Sequence, residues 1–486
     1  MQLRRADYAL VIGLFVVSRI LYALLGLHFD SSPFPGYMQF IDSELLRTRL
    51  LESLWYYHAH PPLLNLFTGI GLKLFGEHAD AFFAVSFHAL GVAMALAVYA
   101  LTLRLTSARV AAAIATGLLV FSPSFVLYEN WLMYSFPAAA LLTIAALLLH
   151  QYVTTKRTRT ALVFFAVLAT LLLTRSIFHL AWMVLVVALL AVAMRGYWRQ
   201  ILLAAALPVF VVVFWYGKNY HYFGSFSAST AMGLGLSNIT TLLLPREQLA
   251  PLVEQGRLSK YALVSRYDQT ELLFRMEPPR HTGIPVLDEV TKTGGAYNFN
   301  NVQLVEVNKR FTADAIEVAR TFPASYVLGL VVSNRLFFSP SNMNLYFDDQ
   351  NRRAVRPMEK LFNPLLYGVG AQPRYMAQPH FGFVKNNEIE VNTSVPLIVA
   401  WCLLLGYGYV RARRGILAPD DHRGADAIAV GFIILSAAYL YVVATAVELG
   451  ENYRYRFLIE PLFMVLAVAA LTDLFRKVRS RFGKSA

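Results

Sequence analysis

Runs of about 20 apolar residues, recurring along the chain with basic turns between them, leave it few ways to fold. They lie at 8–27, 82–104, 109–127, 133–153, 161–177, 178–194, 200–217, 394–411, 426–446 and 457–475. Each is close to the length that crosses a bilayer core, and within hydrocarbon a lone segment satisfies its own backbone only as a helix. The pattern predicts an all-α polytopic membrane protein with about 10–12 transmembrane helices. Composition agrees, with 57% hydrophobic and 15% charged residues, where a soluble domain carries about 25% charged. The net charge of +13 does not point to nucleic acid, because most basic residues fall between the runs. A single cysteine, Cys402, excludes an intrachain disulfide and a cysteine-based metal site. The first run follows Arg4 and Arg5 but lacks a clear small-residue cleavage site, so it reads as a retained span rather than a signal peptide.

Charge sets the expected orientation. With the N-terminus in the cytoplasm, Arg104 and Arg109, then Lys156, Arg157 and Arg159, then Arg195 and Arg199 all fall in cytoplasmic turns. Residues 28–81 and 218–322 then lie outside. The segment 323–340 is ambiguous, since a single crossing there would put Arg411, Arg413, Arg414 and the basic tail outside. Either it does not cross, or a second crossing near 357–370 restores the parity. Both solutions place both termini in the cytoplasm of a plasma (inner) membrane protein. Three regions follow: a membrane core at 1–217 with its outer loop 28–81, an outer-side region at 218–392, and C-terminal helices with a basic tail at 393–486. Within the second, 220–322 is expected to form a small cap, with an amphipathic stretch near 301–320 and an apolar, Gly-rich piece at 229–245 dipping toward the membrane. No Walker A lysine motif and no G-x-G-x-x-G is present, so nucleotide-driven chemistry has no support.

Polar residues gather at the outer ends of the runs. Asp42 and Glu44 sit in the first outer loop with His58, His60 and Pro61-Pro62, and Glu129 sits in the short second one. A carboxylate held at a membrane surface can deprotonate a hydroxyl nucleophile. On a helix Asp42 and Glu44 would point about 200° apart, which argues against a close dyad. The i, i+2 histidines make only a weak metal pair with no evident third ligand; no cofactor is expected. Cations also collect there: Arg175 and His179 at the tip of an apolar hairpin, Lys218, and Arg454 and Arg456 before the last run, with Arg19 inside the first. Ionisable groups in such places are costly and usually face a cavity, and guanidinium forks suit phosphate. Interfacial anchoring, or for Arg19 a structural ion pair, is the competing reading. Arg454 and Arg456 diverge if helical and share a side if extended.

Together these features resemble the GT-C superfamily of membrane glycosyltransferases, in particular relatives of protein O-mannosyltransferases and of lipid A aminoarabinose transferase. The likeness rests on Asp42 and Glu44 after the first span, His60-Pro61-Pro62-Leu63, Glu129 in the second outer loop, and the terminal Glu451-Asn452-Tyr453-Arg454-Tyr455-Arg456 with Pro461. It does not extend over 220–390, and Ser43 separates two acids that are adjacent in many relatives. The resemblance implies a polyprenyl-phosphate-linked sugar donor, an acceptor hydroxyl on a glycan, lipid or protein, and inversion at the anomeric carbon. The base would be Asp42, Glu44 or Glu129, with Asp42 preferred as first in the loop. Arg175, His179, Lys218, Arg454, Arg456 and Arg19 would hold the donor phosphate, and His58, His60, Glu451 and Tyr453 would contact substrate. Besides these partners and membrane lipids, none is expected. The alternative is a transporter of a lipid-linked or anionic solute, though no internal repeat supports it.

Overall fold

A computed structural model describes residues 3–264, 270–344, 346–368, 374–377, 388–417 and 421–482. Six helical stretches are long and apolar enough to cross a membrane: Arg5–Leu24, Leu63–Thr106, Ser135–Thr155, Arg195–Phe223, Val395–Ile416 and Arg423–Val447. Two further pairs qualify only together, Arg109–Val120 with Pro123–Glu129 at 58° and Gln303–Thr321 with Pro323–Phe337 at 108°. The runs expected at 161–177 and 178–194 fold as the shorter helices Thr158–Thr174 and Leu180–Ala193, and the last lies in Glu460–Phe482. The chain is therefore an all-α polytopic membrane protein, with one small hairpin of Arg374–Ala377 paired to Glu388–Val391. Ser135–Thr155 runs through its centre, and Ala138, Ala139, Ala145 and Ala146 are wholly buried there. Such small side chains let neighbouring helices approach closely.

The ambiguous segment 323–340 folds largely as one short helix. Pro323–Phe337 has 15 residues, about 22 Å of helix against a core of about 30 Å. The next helix, Asp349–Tyr367, carries Arg352, Arg353, Arg356, Glu359 and Lys360 and supplies no apolar crossing. Together with Gln303–Thr321, from which it is bent by 108°, Pro323–Phe337 qualifies by length and composition as a broken span or a re-entrant segment.

The two ends of the bundle differ. At one, Asp7 accepts from Tyr99 Oη at 2.8 Å and pairs with Arg109 at 3.1 Å. Beside them Arg411 bridges Asp426 and Asp473 at 3.2 and 3.3 Å and donates to the Leu105 carbonyl. These are the basic turns. At the other end the loop after the first helix joins the turn after Glu129, with Asp30 N–H donating to Asn130 O at 2.8 Å. The cap also sits there. Its amphipathic helix, Gln303–Thr321, buries Leu304, Val307 and Phe311 against Leu234, Tyr261 and Phe274. The 229–245 piece forms the helix Met232–Ile239, whose Gly233 lies so near Asn308 O that a Cβ would overlap it.

The break at 121–122 is held from the first helix. Pro123 has no N–H to carry the helix ladder across, and at this bend the carbonyls of Val120 and Phe121 accept from side chains instead. Ser18 Oγ and Arg19 Nη1 donate to Val120 O at 2.6 and 3.0 Å, and Tyr22 Oη donates to Phe121 O at 2.7 Å. Arg19 is neutralised by Glu129, Nε to Oε2 at 2.5 Å, with His88 Nδ1 3.3 Å from the other oxygen. A Cβ on Gly91 would overlap that oxygen. Glu129→Ala would strand a buried guanidinium, at a cost of about 3–5 kcal/mol. Its thermal unfolding in detergent should therefore come well below that of the parent, and Arg19→Met with Glu129→Leu should recover most of the loss. Equal stability of Glu129→Ala and the parent would remove the ion pair from this account.

Candidate functional site

Between the first outer loop, the 175–179 turn, the cap and the 439–455 segment lies a cavity of about 890 Å³. Arg175 enters it just past the end of Thr158–Thr174. Its guanidinium stacks 3.8 Å over the Tyr134 ring and 4.8 Å over Tyr455, while its buried Nε has no hydrogen-bond partner. Arg454 enters from the short helix Asn452–Phe457. It pairs with Glu451 Oε2 at 3.0 Å and donates to Tyr134 Oη at 3.3 Å, and its Nε is likewise buried without a partner. His60 lines the same wall with Nε2 unpartnered. Burial, then the charges of Arg175 and Arg454, pull its pKa down to about 3, so the ring is neutral. Glu451 also lines the cavity; burial pushes its carboxyl up, against the pull of Arg454 and Arg175.

The other candidate residues separate into distinct places. His179 lines the cavity but caps the next helix, its Nδ1 accepting from Ala181 N–H at 3.2 Å. Because Asn452–Phe457 is helical, Arg456 turns away from Arg454 and pairs with Glu460 at 2.8 Å. Lys218 ties its helix end to the first loop by donating to Trp55 O and Tyr57 O, both at 2.9 Å. Tyr453 is buried and does not line the cavity. Arg19 and Glu129 are engaged with each other at the helix break, and neither lines the cavity.

Asp42 is 5% exposed and committed to protein groups on both oxygens. As N-cap of Ser43–Thr48, its Oδ1 accepts from Glu44 and Leu45 N–H at 2.7 and 3.3 Å. Its Oδ2 accepts from Thr293 of the cap, through Oγ1 at 2.7 Å and through the backbone N–H. Burial raises its pKa, but these bonds outweigh burial and hold the carboxyl below its ordinary value. Glu44 points to the exterior. His58 is a latch: its Nδ1 meets Thr230 Oγ1 at 2.8 Å and its Nε2 meets Asn300 O at 3.0 Å. Burial takes its pKa down to about 3. Among the described residues no three His, Cys, Asp or Glu side chains gather as a metal set would require.

Several residues of the site carry no sequence signal by themselves. Tyr37, Gln39 and Tyr134 line the cavity, yet a tyrosine or glutamine at a membrane edge is ordinary. Besides Thr293 and Thr230, the run at 298–301 grips the first loop. Asn300 Oδ1 accepts from His58 and Ala59 N–H, and Asn298 and Asn301 both donate to the Glu289 carbonyl. Four amides and one aromatic in sequence, Asn298-Phe299-Asn300-Asn301 before Gln303, were the available hint: such side chains satisfy loop backbone that water would otherwise reach.

No family model matches this sequence, and no curated protein does. Among solved structures the chain is similar to ArnT from Cupriavidus metallidurans bound to undecaprenyl phosphate. That match has 16% identity and a TM-score of 0.36 over 93% of this chain and 78% of that one. It is also similar to the Archaeoglobus fulgidus oligosaccharyltransferase in complex with zinc and sulfate, with 14% identity and a TM-score of 0.37 over 96% of this chain. The chain spans 50% of the length of the archaeal protein.

Proposed function

We propose that this protein is an integral membrane glycosyltransferase that moves a sugar from a polyprenyl-phosphate-linked donor to an acceptor hydroxyl. The observation that carries the reading is the pair of buried guanidiniums, Arg175 and Arg454, each with an unpartnered Nε on one cavity beside a neutral His60. A buried donor left unsatisfied is costly, so such a pair is best explained by an anionic ligand. Guanidinium forks match phosphate oxygens, and the volume is in the range of sites that enclose a small ligand. Apolar wall residues such as Ile177, Phe226 and Val443 suit an isoprenoid chain.

In this reading the acceptor O–H loses its proton to a carboxylate as its oxygen bonds to the anomeric carbon. The bond from that carbon to the phosphate oxygen breaks, and its electron pair leaves with the lipid phosphate. Arg175 and Arg454 stabilise the charge that develops there. Asp42 does not itself line the cavity, but it follows Tyr37, Met38 and Gln39, which do; it is the proposed base, because its Oδ2 already receives a hydroxyl, that of Thr293. An acceptor hydroxyl would take that place. The positive-inside rule puts this end of the bundle on the outer face.

Purified protein given hexosyl-phosphoryl-undecaprenol and membrane extract should release undecaprenyl phosphate and label a hydroxyl-bearing acceptor. Reconstituted vesicles that move the intact lipid across the bilayer, with no lipid phosphate released, would establish the transporter instead.

A further inference from the structure

Beside the two guanidiniums the cavity also carries polar acceptors. Glu451 is held through Oε2 by Arg454, and its buried Oε1 has no hydrogen-bond partner. Gln39 Oε1 is likewise buried on this cavity without a partner. Its backbone is pinned, with Gln39 O accepting from Tyr57 Oη at 2.7 Å and Asn65 Nδ2 at 2.9 Å. Glu448 lines the cavity too, its Oε1 accepting from Asn238 at 2.8 Å. The edge-to-face rings of Tyr37 and Tyr346, 5.5 Å apart, complete this part of the lining. Donors without partners therefore accompany acceptors without partners on one cavity.

We propose that Gln39 and Glu451 form the sugar-reading wall of this cavity and select a donor whose sugar is uncharged and bears free hydroxyls. The proposal rests on the transferase reading above. A hydroxyl donates to the free carboxylate oxygen of Glu451 and satisfies a glutamine amide in either orientation, since it both donates and accepts. An acidic sugar fails on the same wall. Its carboxylate would face the carboxylates of Glu451 and Glu448, and the guanidiniums are already engaged by the phosphate. Site-built hydrogen bonds of this kind discriminate strongly because a mismatched ligand leaves them unmade.

The test uses the full chain in lipid nanodiscs and three undecaprenyl phosphodiesters: the methyl, the hexosyl and the hexuronosyl. The methyl ester has the charge of the donor without its hydroxyls. The parent should bind the hexosyl lipid roughly tenfold or more tighter than the methyl lipid, from hydrogen bonds to the free acceptors. It should bind the hexuronosyl lipid more weakly than the hexosyl one. Q39L should bring the hexosyl-to-methyl ratio toward unity, and E451Q should narrow the gap between hexosyl and hexuronosyl lipids. Each result is a ratio within one protein, so partial loss of folded material cancels. If Q39L does not fold, the E451Q comparison decides alone. Equal binding of methyl and hexosyl lipids, preference for the hexuronosyl lipid, or ratios unmoved in E451Q would overturn the sugar wall while leaving the phosphate site standing. No binding of any of the three would overturn both.

Discussion

Asp42→Asn is expected to lower turnover by about 10²–10⁴-fold, the usual scale for removing a positioned base, while the protein still folds. Asparagine is as good an N-cap as aspartate, so the Oδ1 bonds to Glu44 and Leu45 survive. What changes is the face toward Thr293, where an amide N–H₂ cannot accept. A loss of activity could then come from the lost base or from a loosened cap, and Thr293→Val separates the two. It removes the hydroxyl donor to Oδ2 but leaves the carboxylate and the Thr293 backbone N–H in place. If Asp42 is the base, Thr293→Val keeps or raises turnover, because the position for the acceptor hydroxyl is vacated. If Asp42 only clamps the cap, the two variants lose activity together. Full activity in Asp42→Asn would end the base assignment.

The second large effect is on the ligand. Arg175→Gln should weaken binding of undecaprenyl phosphate by about 10–100-fold, the scale of hydrogen bonds to a charged group. Arg175 is the cleaner choice of the two guanidiniums. Removing Arg454 would also strand Glu451, its partner at 3.0 Å. The same substitution should leave the ligand-free protein as stable as the parent or more so, since a buried cation with an unpartnered Nε is a burden until an anion arrives. Thermal unfolding with and without the lipid reads both quantities. A variant that is destabilised without ligand and yet stabilised by it as much as the parent would make Arg175 a structural residue stacked on Tyr134.

How far the site could be read from sequence differs from residue to residue. Arg175 and Arg454 were visible because a cation at the outer end of an apolar run departs from the charge rule. His58 and His60 looked alike as an i, i+2 pair, yet one has both ring nitrogens tied to the cap and the other faces the cavity. Glu129 looked like a loop carboxylate, but the helix break turns it toward Arg19. Gln39 gave no sign at all, since nothing in its type or neighbours distinguishes it until the cavity closes around it.

The sequence by itself determined that the chain is helical and membrane-spanning and where most of its apolar helices fall. Backbone groups in hydrocarbon have a single local solution. Which polar groups share a space was left to the tertiary structure. Arg454 and Arg456 are two residues apart, and a single helical turn sends one to the cavity and the other to Glu460. Asp42 is met by Thr293 across a sequence separation of 251 residues. No local pattern encodes such a contact, because it depends on how the cap settles on the bundle.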